Sequence, residues 1–337
     1  MKPATLRDVA EAANVSTTAV SRVLHGGGAS VRVSEERAAQ IREAAARLNY
    51  RVNAVARNLR KSRTNTIGVL FENLKGLGDG PLYTTCLLDG VSSVLFQQGY
   101  RLSLLAEIDH SDLMGSLGDG QLDGVIWCKL ARDADSASIL RDMPIPIVAI
   151  NASEPNDDAE ALFVNCDNVG GIHLAIDHLI GLGHHRIAFL SEAEESDTPD
   201  RISRRDAYVS QMLLHGLEPV ELECPWNLQG AVAEILERKS TAVVCWTERL
   251  AGHLLDSLRE QLISVPQQLS VIGFDSTRYC ETTSPRLTAV RQPIREMAAF
   301  ATETLLGMIR REDCGFQSRI FPCQLDVRAS TAAPEVQ

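Results

Sequence analysis

The first 50 residues place hydrophobic side chains at the period of three short helices. In residues 6–13 the apolar positions recur at i, i+3, i+4 and i+7, so they share one helical face. Thr5 precedes Asp8 by three positions, which is the spacing of a capping box at a helix start. Asn14 follows, and asparagine adopts left-handed backbone angles at modest cost. The chain is therefore expected to turn at Asn14 and to begin a second helix after Ser16, a good N-cap.

The predicted second helix, residues 17–25, is amphipathic. Its apolar stripe is formed by Ala19, Val20, Val23 and Leu24. Its opposite face consists of Thr17, Thr18, Ser21, Arg22 and His25. A hydrophobic core needs none of these polar side chains, whereas base edges and phosphates can bind all of them. Two helices joined by a turn of about three residues are typical of a unit that places its second helix in the major groove of DNA. A plain helical hairpin is the alternative.

A third helix is predicted over residues 34–49, with Ser34 as its N-cap. Its apolar face is formed by Ala38, Ile41, Ala45 and Leu48. Three such helices can close a small core together.

From Thr64 onward, strand-like and helix-length segments alternate. The predicted strands are residues 66–71, 102–106, 124–127, 147–150, 187–190, 242–246 and 269–273. This alternation predicts βαβ units and parallel sheets. The fold class is therefore a small all-α helix-turn-helix head followed by an α/β body.

Charge separates the head from the body. Residues 1–63 hold twelve Lys and Arg against five Asp and Glu, a balance of +7, while the whole chain carries −11. The remaining residues therefore carry −18. A basic head suits the release of counterions from DNA phosphates, and an acidic body stays away from them.

Composition excludes several other classes. The chain has 337 residues, 45% of them hydrophobic, but no stretch approaches the roughly 20 apolar residues of a membrane span. The amino terminus lacks an apolar signal core, so we expect a cytoplasmic protein. Eight cysteines occur singly, at positions 86, 128, 166, 224, 245, 280, 314 and 323. They indicate a reducing compartment and no structural zinc; buried fillers are favoured over reactive thiols.

Motifs for catalysis are weak. Gly76, Gly78 and Gly80 suggest a dinucleotide loop, but Pro81 stands where the fingerprint continues. The sequence contains no GxSxG, P-loop or HExxH motif. The neighbouring His184 and His185 could suggest a metal or acid/base site, although adjacent residues seldom share a ligand face. We therefore expect no enzyme activity, no catalytic residue, no cofactor and no metal.

Several spaced motifs resemble one family. They are T-L-R-D-V-A-E-A-A-N-V-S-x-x-A-V-S-R-V-L from residue 5, N-A-V-A-R-N-L-R at 53–60, G-G-x-x-x-A-x-x-H-L-x-x-L-G-H-x-x-I-A at 170–188, S-V-I-G-F-D at 270–275 and P-x-L-T-x-V-R-Q-P at 285–293. This chain resembles the lactose-repressor (LacI/GalR) family of bacterial transcription regulators over nearly its full length. In that family, L-G-H is a structural element.

The resemblance implies two flavodoxin-like, periplasmic-binding-protein-like subdomains with an effector cleft between them. The chain would cross between them near Asn165, Arg291 and Arg319. The expected domains are a DNA-binding head (1–50), a hinge (51–63), an amino-terminal subdomain (64–164 with 292–319), a carboxyl-terminal subdomain (165–291 with 320–329) and a disordered tail (330–337).

The expected hinge helix, residues 53–60, is too short to be stable alone in water. In the resembled family this segment folds on operator DNA, pairs with its dimer partner and inserts a leucine into the minor groove, which unstacks a base step. Leu59 matches that leucine, and Ala56 matches the small residue where two hinges meet. Asn53 and Arg57 are further expected contacts. Val52 departs from the usual proline before the asparagine, which would loosen the hinge.

The effector cleft can be assigned residue by residue. Asp275 ends a predicted strand, where open α/β sheets bind ligands, and its carboxylate can accept two sugar hydroxyl protons. The resemblance adds Arg204, for which a surface ion pair is the alternative, and Trp226, which could instead be packing. The pair Thr247-Glu248 departs from the family's usual Asn-Asp. Further candidates are Phe274, Asn151 and Tyr83.

We therefore expect a homodimeric repressor of carbohydrate-utilisation genes that binds a pseudo-palindromic operator in double-stranded DNA. Thr17, Thr18 and Arg22 would read bases, because threonine methyls suit thymine and arginine suits guanine. The other head contacts would be Thr5, Leu6, Ser16, Ser21 and His25. A sugar or sugar derivative is the expected effector, as inducer or corepressor; a nucleobase or sugar phosphate is the alternative. A solute-binding protein would share the body but need a signal peptide and no basic head. The tail has no leucine heptads, so a dimer is expected rather than a coiled-coil tetramer.

Overall fold

The computed structural model describes residues 4–25, 33–50, 63–71, 82–106, 113–128, 143–152, 162–193, 198–225, 228, 230–312, 315 and 317–335. The chain divides into two compact units, residues 1–65 and residues 66–337. They are called the head and the body.

The described residues of the head form three helices, α1 (Leu6–Ala12), α2 (Thr17–His25) and α3 (Glu35–Arg47). A capping box between Thr5 and Asp8 starts α1, and Asn14 turns the chain with φ +50°. The buried core consists of Val9, Ala10, Val20, Ile41, Ala44 and Ala45. The predicted three-helix head is therefore confirmed, because short amphipathic helices must bury their apolar faces against one another.

The body contains two six-stranded sheets. The first has the order β11-β5-β4-β3-β1-β2, with all neighbouring strands parallel. Its strands are β1 (Thr66–Phe71), β2 (Arg101–Ala106), β3 (Gly124–Cys128), β4 (Ile147–Ile150), β5 (Leu162–Cys166) and β11 (Arg319–Phe321). The central strands are buried along their length, as expected for a parallel sheet covered on both faces.

The second sheet has the order β12-β10-β9-β8-β6-β7. Its strands are β6 (Ile187–Glu192), β7 (Val220–Cys224), β8 (Ala242–Cys245), β9 (Ser270–Asp275), β10 (Thr288–Arg291) and β12 (Gln324–Asp326). β12 runs antiparallel to β10, and the other neighbours are parallel. The two sheets with their helices are called the first lobe and the second lobe.

The described residues of the body form seven α-helices. They are α4 (Tyr83–Gln97), α5 (Leu113–Leu117), α6 (Asn168–Gly181), α7 (Pro199–Leu214), α8 (Ala231–Glu237), α9 (Glu248–Glu260) and α10 (Ile294–Arg310). α4 packs against α10 in the first lobe, and α6 packs against α7 in the second. Within the described part of the chain, no helix is long and apolar enough to cross a membrane.

The described strands require three crossovers between the lobes. The first follows β5 at Asp167, the second follows β10 at Gln292 and Pro293, and the third joins β11 to β12 through Pro322 and Cys323. The expectation that the second lobe begins at residue 320 is wrong by two residues, because β11 pairs with β5 of the first sheet through Phe321.

The expectation of a disordered tail from residue 330 is also wrong for residues 330–335. Ser330 is fully buried, and its Oγ accepts from Thr288 N at 2.8 Å and donates to Val271 O at 2.6 Å. The His184 Nε2 atom lies 2.8 Å from the Ala332 carbonyl oxygen. Polar partners in the second lobe therefore hold a segment that was expected to be disordered.

Candidate functional site

The polar face of α2 remains available at the surface of the head. Thr17 and Thr18 are exposed, and Ser21 and Arg22 are half-buried beside them. Ser16 Oγ accepts a hydrogen bond from Ala19 N at 3.2 Å, so this side chain caps the helix. The face can therefore present hydroxyls and a guanidinium to a partner without disturbing the core.

Two other predicted head contacts have structural roles. Thr5 forms the capping box, in which Thr5 N donates to Asp8 Oδ2 at 2.7 Å. Leu6 packs against the core of the head, and Leu6 is better described as a core residue than as a surface contact. The side chain of His25 and the predicted hinge residues Asn53, Ala56, Arg57 and Leu59 lie outside the described residues.

Arg204 is the centre of the candidate cleft in the second lobe. Its side chain is 1% exposed and lies on α7, and Nε donates to Asn168 Oδ1 at 2.8 Å while Nη1 donates to Trp246 O at 2.6 Å. Two carboxylates flank it, Asp200 at 3.7 Å and Asp275 at 3.8 Å. Burial alone would lower the pKa of Arg204, but the two carboxylates outweigh it, so the pKa is raised. The guanidinium is therefore charged and already neutralised.

Asp275 is held in an uncommon backbone conformation at the carboxyl end of β9. Its φ is +94°, and Ser276 follows with φ +48°. Gln292 Nε2 donates to Asp275 Oδ1 at 2.6 Å, and Ser276 Oγ donates to Asp326 Oδ2 at 2.7 Å. Left-handed conformations of residues with a side chain cost on the order of 1–3 kcal/mol each and cluster at functional sites. The strain here turns a carboxylate toward Arg204.

Packing beneath Arg204 fixes its position. The guanidinium carbon lies 3.6 Å from the centre of the Phe274 ring, which is fully buried. A Cβ added to Gly171 on α6 would lie 3.0 Å from that ring and 2.9 Å from Val290. The second glycine of the G-G motif is therefore needed for close packing, and Phe274 supports the arginine instead of forming an open wall of the cleft.

The first lobe contributes Tyr83 and Asn151. Asn151, which follows β4 with φ +52°, is 2% exposed, and its Nδ2 donates to the Tyr83 hydroxyl oxygen at 2.6 Å. Burial raises the pKa of Tyr83 well above its usual value, and charges on Cys128, Asp200 and Asp275 raise it further. The Tyr83 hydroxyl therefore stays protonated.

Two buried amide oxygens of the cleft have no hydrogen-bond partner among the described residues. They are Asn151 Oδ1 in the first lobe and Gln292 Oε1 at the second crossover. Leaving a buried acceptor unpaired costs about 1–3 kcal/mol. The cleft is therefore prepared to accept hydrogen bonds from a ligand.

Thr247 and Glu248 occupy structural positions at the start of α9. Thr247 Oγ1 accepts from Leu250 N at 3.3 Å as the N-cap. Glu248 is fully buried, accepts from Thr277 N at 2.7 Å and from the Thr277 hydroxyl, and accepts from Cys280 Sγ at 3.2 Å. Burial and the charge of Asp275 raise the pKa of Glu248 to about 7. Its carboxyl group braces the turn after Asp275, and the contact of Glu248 with an effector stays a prediction.

Sequence reasoning missed four members of the cleft, namely Asn168, Asp200, Trp246 and Gln292. Asp200 had a local signal, because it precedes Arg204 by four residues on one helix. Gln292 lies within the motif at residues 285–293, but no role in the cleft was predicted for it. Asn168 and Trp246 had no local signal, since their contacts to Arg204 are created by the fold. Trp226, which was predicted, is not among the described residues.

Both ring nitrogens of His184 have hydrogen-bond partners within the second lobe and the tail. Its Nδ1 lies 2.9 Å from Thr241 Oγ1, and its Nε2 contacts the Ala332 carbonyl oxygen. Over the described ranges, no group of three or more His, Cys, Asp or Glu side chains is arranged to hold a metal ion.

Comparison with known proteins agrees with this architecture. Residues 5–53 match the model of the bacterial regulatory proteins of the lacI family, and residues 176–331 match the periplasmic binding protein-like domain. The HTH-type transcriptional repressor PurR of Vibrio atlanticus is 31% identical over 329 residues, which cover 94% of this chain and 95% of that protein.

Two solved structures are similar over almost the whole chain. A lac repressor dimer bound to operator and the anti-inducer ONPF has a TM-score of 0.84 at 23% identity, covering 98% of this chain and 100% of that chain. A complex of the transcriptional regulator CelR with cellobiose has a TM-score of 0.70 at 26% identity, covering 97% and 99%. The chain therefore belongs to the lacI family of bacterial regulatory proteins and is a DNA-binding transcriptional regulator with an effector-binding body.

Proposed function

We propose that the protein is a homodimeric repressor whose α2 helix reads the major groove of a pseudo-palindromic operator. Thr17, Thr18 and Arg22 are the proposed base readers. The observation that supports this role is their location on the one face of α2 that the head core does not use. Two-fold symmetry would give each recognition helix one half-site.

We assign the hinge to residues 51–63, at the end of the head that precedes the body. In this proposal Leu59 enters the minor groove, Ala56 lies where two hinges meet, and Asn53 and Arg57 contact the DNA backbone. A leucine wedge unstacks a base step at a cost of a few kcal/mol, which is offset by the contacts of a bent duplex. Effector binding between the lobes would change the position of one lobe relative to the other. This movement would alter the geometry of the hinge. Because linkage is reciprocal, DNA must alter effector affinity by the same factor.

The effector is proposed to be a neutral, hydroxyl-rich molecule, that is, a sugar. The observation that supports a sugar is the balance of charges and hydrogen bonds in the cleft. Arg204 is already neutralised by Asp200 and Asp275, so it offers no spare positive charge to a phosphate. The unpartnered oxygens of Asn151 and Gln292 need donors.

Two other arginines near the carboxyl ends of the second sheet, one buried and one half-buried, are also paired. Arg201 contacts Glu223, and Arg249 contacts Glu192. Hydroxyls of a sugar can donate to two carboxylates and two amide oxygens at once. A nucleobase offers fewer donors than a sugar. The structural relative solved with cellobiose is consistent with a carbohydrate at this cleft.

A ligand screen by thermal shift tests the effector class. A ligand that binds only the folded protein raises its melting temperature. Neutral mono- and disaccharides should raise it, whereas sugar phosphates and nucleobases should leave it unchanged. Asp275→Asn should abolish the ligand-induced shift, and Glu260→Gln on the exposed end of α9 should preserve it. A larger shift with a sugar phosphate than with its parent sugar would contradict the proposed class.

Selection of bound duplexes from a random library tests the DNA role. We expect two symmetric half-sites and an affinity that falls steeply with salt, because phosphate contacts release counterions. A DNA affinity that does not change with salt concentration, or a selection that enriches no sequence, would refute the proposed DNA-binding role. Leu59→Ala should lower specific affinity by about 10-fold, or about 1.4 kcal/mol. Effector binding by that variant should be unchanged.

A further inference from the structure

The turn that follows Asp275 is held by residues from near the carboxyl end of the chain. Ser276 adopts φ +48° directly after Asp275, whose φ is +94°. The Ser276 hydroxyl donates to Asp326 Oδ2 at 2.7 Å and accepts from Arg328 Nη2 at 3.0 Å. Asp326 is the last residue of β12, and Arg328 follows two positions later. Side chains 50 and 52 positions further along the chain therefore contact the residue beside the carboxylate of the cleft.

Arg328 is anchored by three further acceptors. Its Nε donates to Glu281 Oε1 at 2.6 Å, its Nη1 donates to Leu287 O at 2.8 Å, and its backbone N donates to Thr288 Oγ1 at 2.9 Å. The side chain is 13% exposed, so solvent screens these bonds little. A guanidinium is planar and holds its donors in a fixed fork. Because Nε and Nη1 are bonded elsewhere, the position of Nη2 at Ser276 is well defined.

The backbone beside Asp275 needs this support. Consecutive residues with side chains in the left-handed region persist when the surrounding structure holds them there. Glu248 accepts from Thr277 N at 2.7 Å and so supports the residue after Ser276. Ser276 itself is supported by its two bonds to the segment at the end of β12. The direction of the Asp275 carboxylate therefore depends on side chains that lie outside the cleft.

We infer that Arg328 is a positioning residue of the cleft, which acts through Ser276 to hold the Asp275 carboxylate toward Arg204. The consequence for the effector rests on the function proposed above. Arg328 and Asp326 follow the third crossover, through which β11 of the first lobe continues into β12 of the second. Contiguous hydrogen-bond networks can carry energetic coupling between distant parts of a protein. A displacement of that crossover would therefore be transmitted to the effector-binding carboxylate.

The alternative role for Arg328 is that of an anchor for the carboxyl-terminal segment alone. Ser276→Ala separates the two roles. It removes both bonds of the hydroxyl but leaves Arg328 bonded to Glu281 and to Leu287 O. Alanine retains a Cβ, so the variant does not acquire the backbone freedom of glycine. An anchor would tolerate this substitution, whereas the positioning role would be lost.

The first measurement is hydrogen exchange by mass spectrometry on the full chain without a sugar. It reports the Thr277 amide, which is hydrogen-bonded in the wild type. Ser276→Ala and Arg328→Ala should each raise exchange severalfold in peptides that cover residues 275–281. Glu281→Gln is the matched control and should leave exchange unchanged, because its amide oxygen can still accept from Arg328 Nε. Unchanged exchange in Ser276→Ala would overturn the inference whether or not a sugar binds.

The second measurement is calorimetric titration with glucose, galactose, ribose and cellobiose. For each sugar that binds the wild type, Ser276→Ala should lower affinity about 2- to 30-fold, which is the range for residues that act without touching the ligand. Its melting temperature should change little. The double variant Ser276→Ala/Arg328→Ala should lose no more affinity than the weaker-binding single variant, because both substitutions act through one hydroxyl.

A loss of melting temperature without a loss of sugar affinity would make Arg328 an anchor and contradict the inference. Because Ser276→Ala carries both measurements, a failure of Arg328→Ala to fold leaves the inference open to refutation. If none of the sugars binds the wild type, the proposed effector class fails, while hydrogen exchange still decides whether Arg328 holds the turn.

Discussion

The polar face of α2 and the polar wall of the second lobe use similar side chains in opposite ways. Thr17 and Thr18 are exposed and make no hydrogen bond to another described side chain. Arg204 is 1% exposed and bonded to Asn168 and to the Trp246 carbonyl between two carboxylates. In the head, polar groups are separate from the core that stabilises the fold. In the body, the same groups that would bind an effector also stabilise the cleft.

This difference predicts how mutations divide between stability and function. Substitutions on the face of α2 should change DNA affinity and leave the melting temperature nearly constant. Substitutions in the cleft should change both, because a buried charge without its partner is costly.

Arg204→Ala should produce the largest loss. Removing the guanidinium leaves Asp200 and Asp275 buried without their cation, so the free energy of unfolding should fall by about 3–5 kcal/mol. Urea unfolding followed by circular dichroism measures it. The matched control is Arg205→Ala at the next position, where a partly exposed pair with Glu221 should contribute about 0–1 kcal/mol. Equal losses of unfolding free energy from the two variants would contradict the expected difference between the buried ion pairs of Arg204 and the partly exposed pair of Arg205.

Arg22→Ala should lower DNA affinity and leave the stability of the head nearly unchanged. A bidentate contact to guanine is worth about 1–3 kcal/mol of discrimination, so affinity for the selected operator should fall 5- to 150-fold or so. Affinity for scrambled DNA should fall much less. The free energy of unfolding should stay within about 0.5 kcal/mol of the wild type. Fluorescence anisotropy with both duplexes checks this, and a comparable fall on both would make Arg22 a phosphate contact.

Glu248 should make stability depend on pH in one direction. Its pKa is raised from 4.5 to about 7, so the folded chain keeps a proton that the unfolded chain releases. Stability from this group is present below about 4.5 and is lost as the pH rises through 7. The glutamine of Glu248→Gln cannot ionise, so the stability of this variant should not fall as the pH rises through 7. Its side-chain amide faces the Thr277 N–H at every pH. Melting temperatures across pH 4.5–7.5 measure the slope, and Glu260→Gln should retain the wild-type slope.

His184 should give a smaller dependence of the opposite sign. Burial lowers the pKa of His184 below 6.5, so the unfolded chain binds more protons as the pH falls through 6.5. The body should therefore lose stability at acidic pH, with release of residues 330–335. His184→Gln should flatten this dependence, and His185→Gln, at the exposed neighbour, should preserve it. Hydrogen exchange of the Ala332 amide locates the effect, and unchanged protection at low pH would disprove it.

Several elements were predictable from the sequence because their signals are local. The capping box of Thr5 and Asp8, the turn at Asn14 and the strands at 66–71 and 147–150 are determined by neighbouring residues. β7 was missed because it alternates polar and apolar residues at a sheet edge instead of forming an apolar run. β11 and β12 have three residues each and depend on strands far away in sequence for their hydrogen bonds.

The sequence by itself determined the three-helix head, the basic and acidic halves and the alternating pattern of the body, since each follows from periodicity or composition. Tertiary structure decided the rest. It bonded Glu248 to Thr277, and it brought Asp275 to Arg204 and Gln292 to Asp275. These contacts span long stretches of chain, and burial is what makes them energetically significant, so no local pattern could announce them.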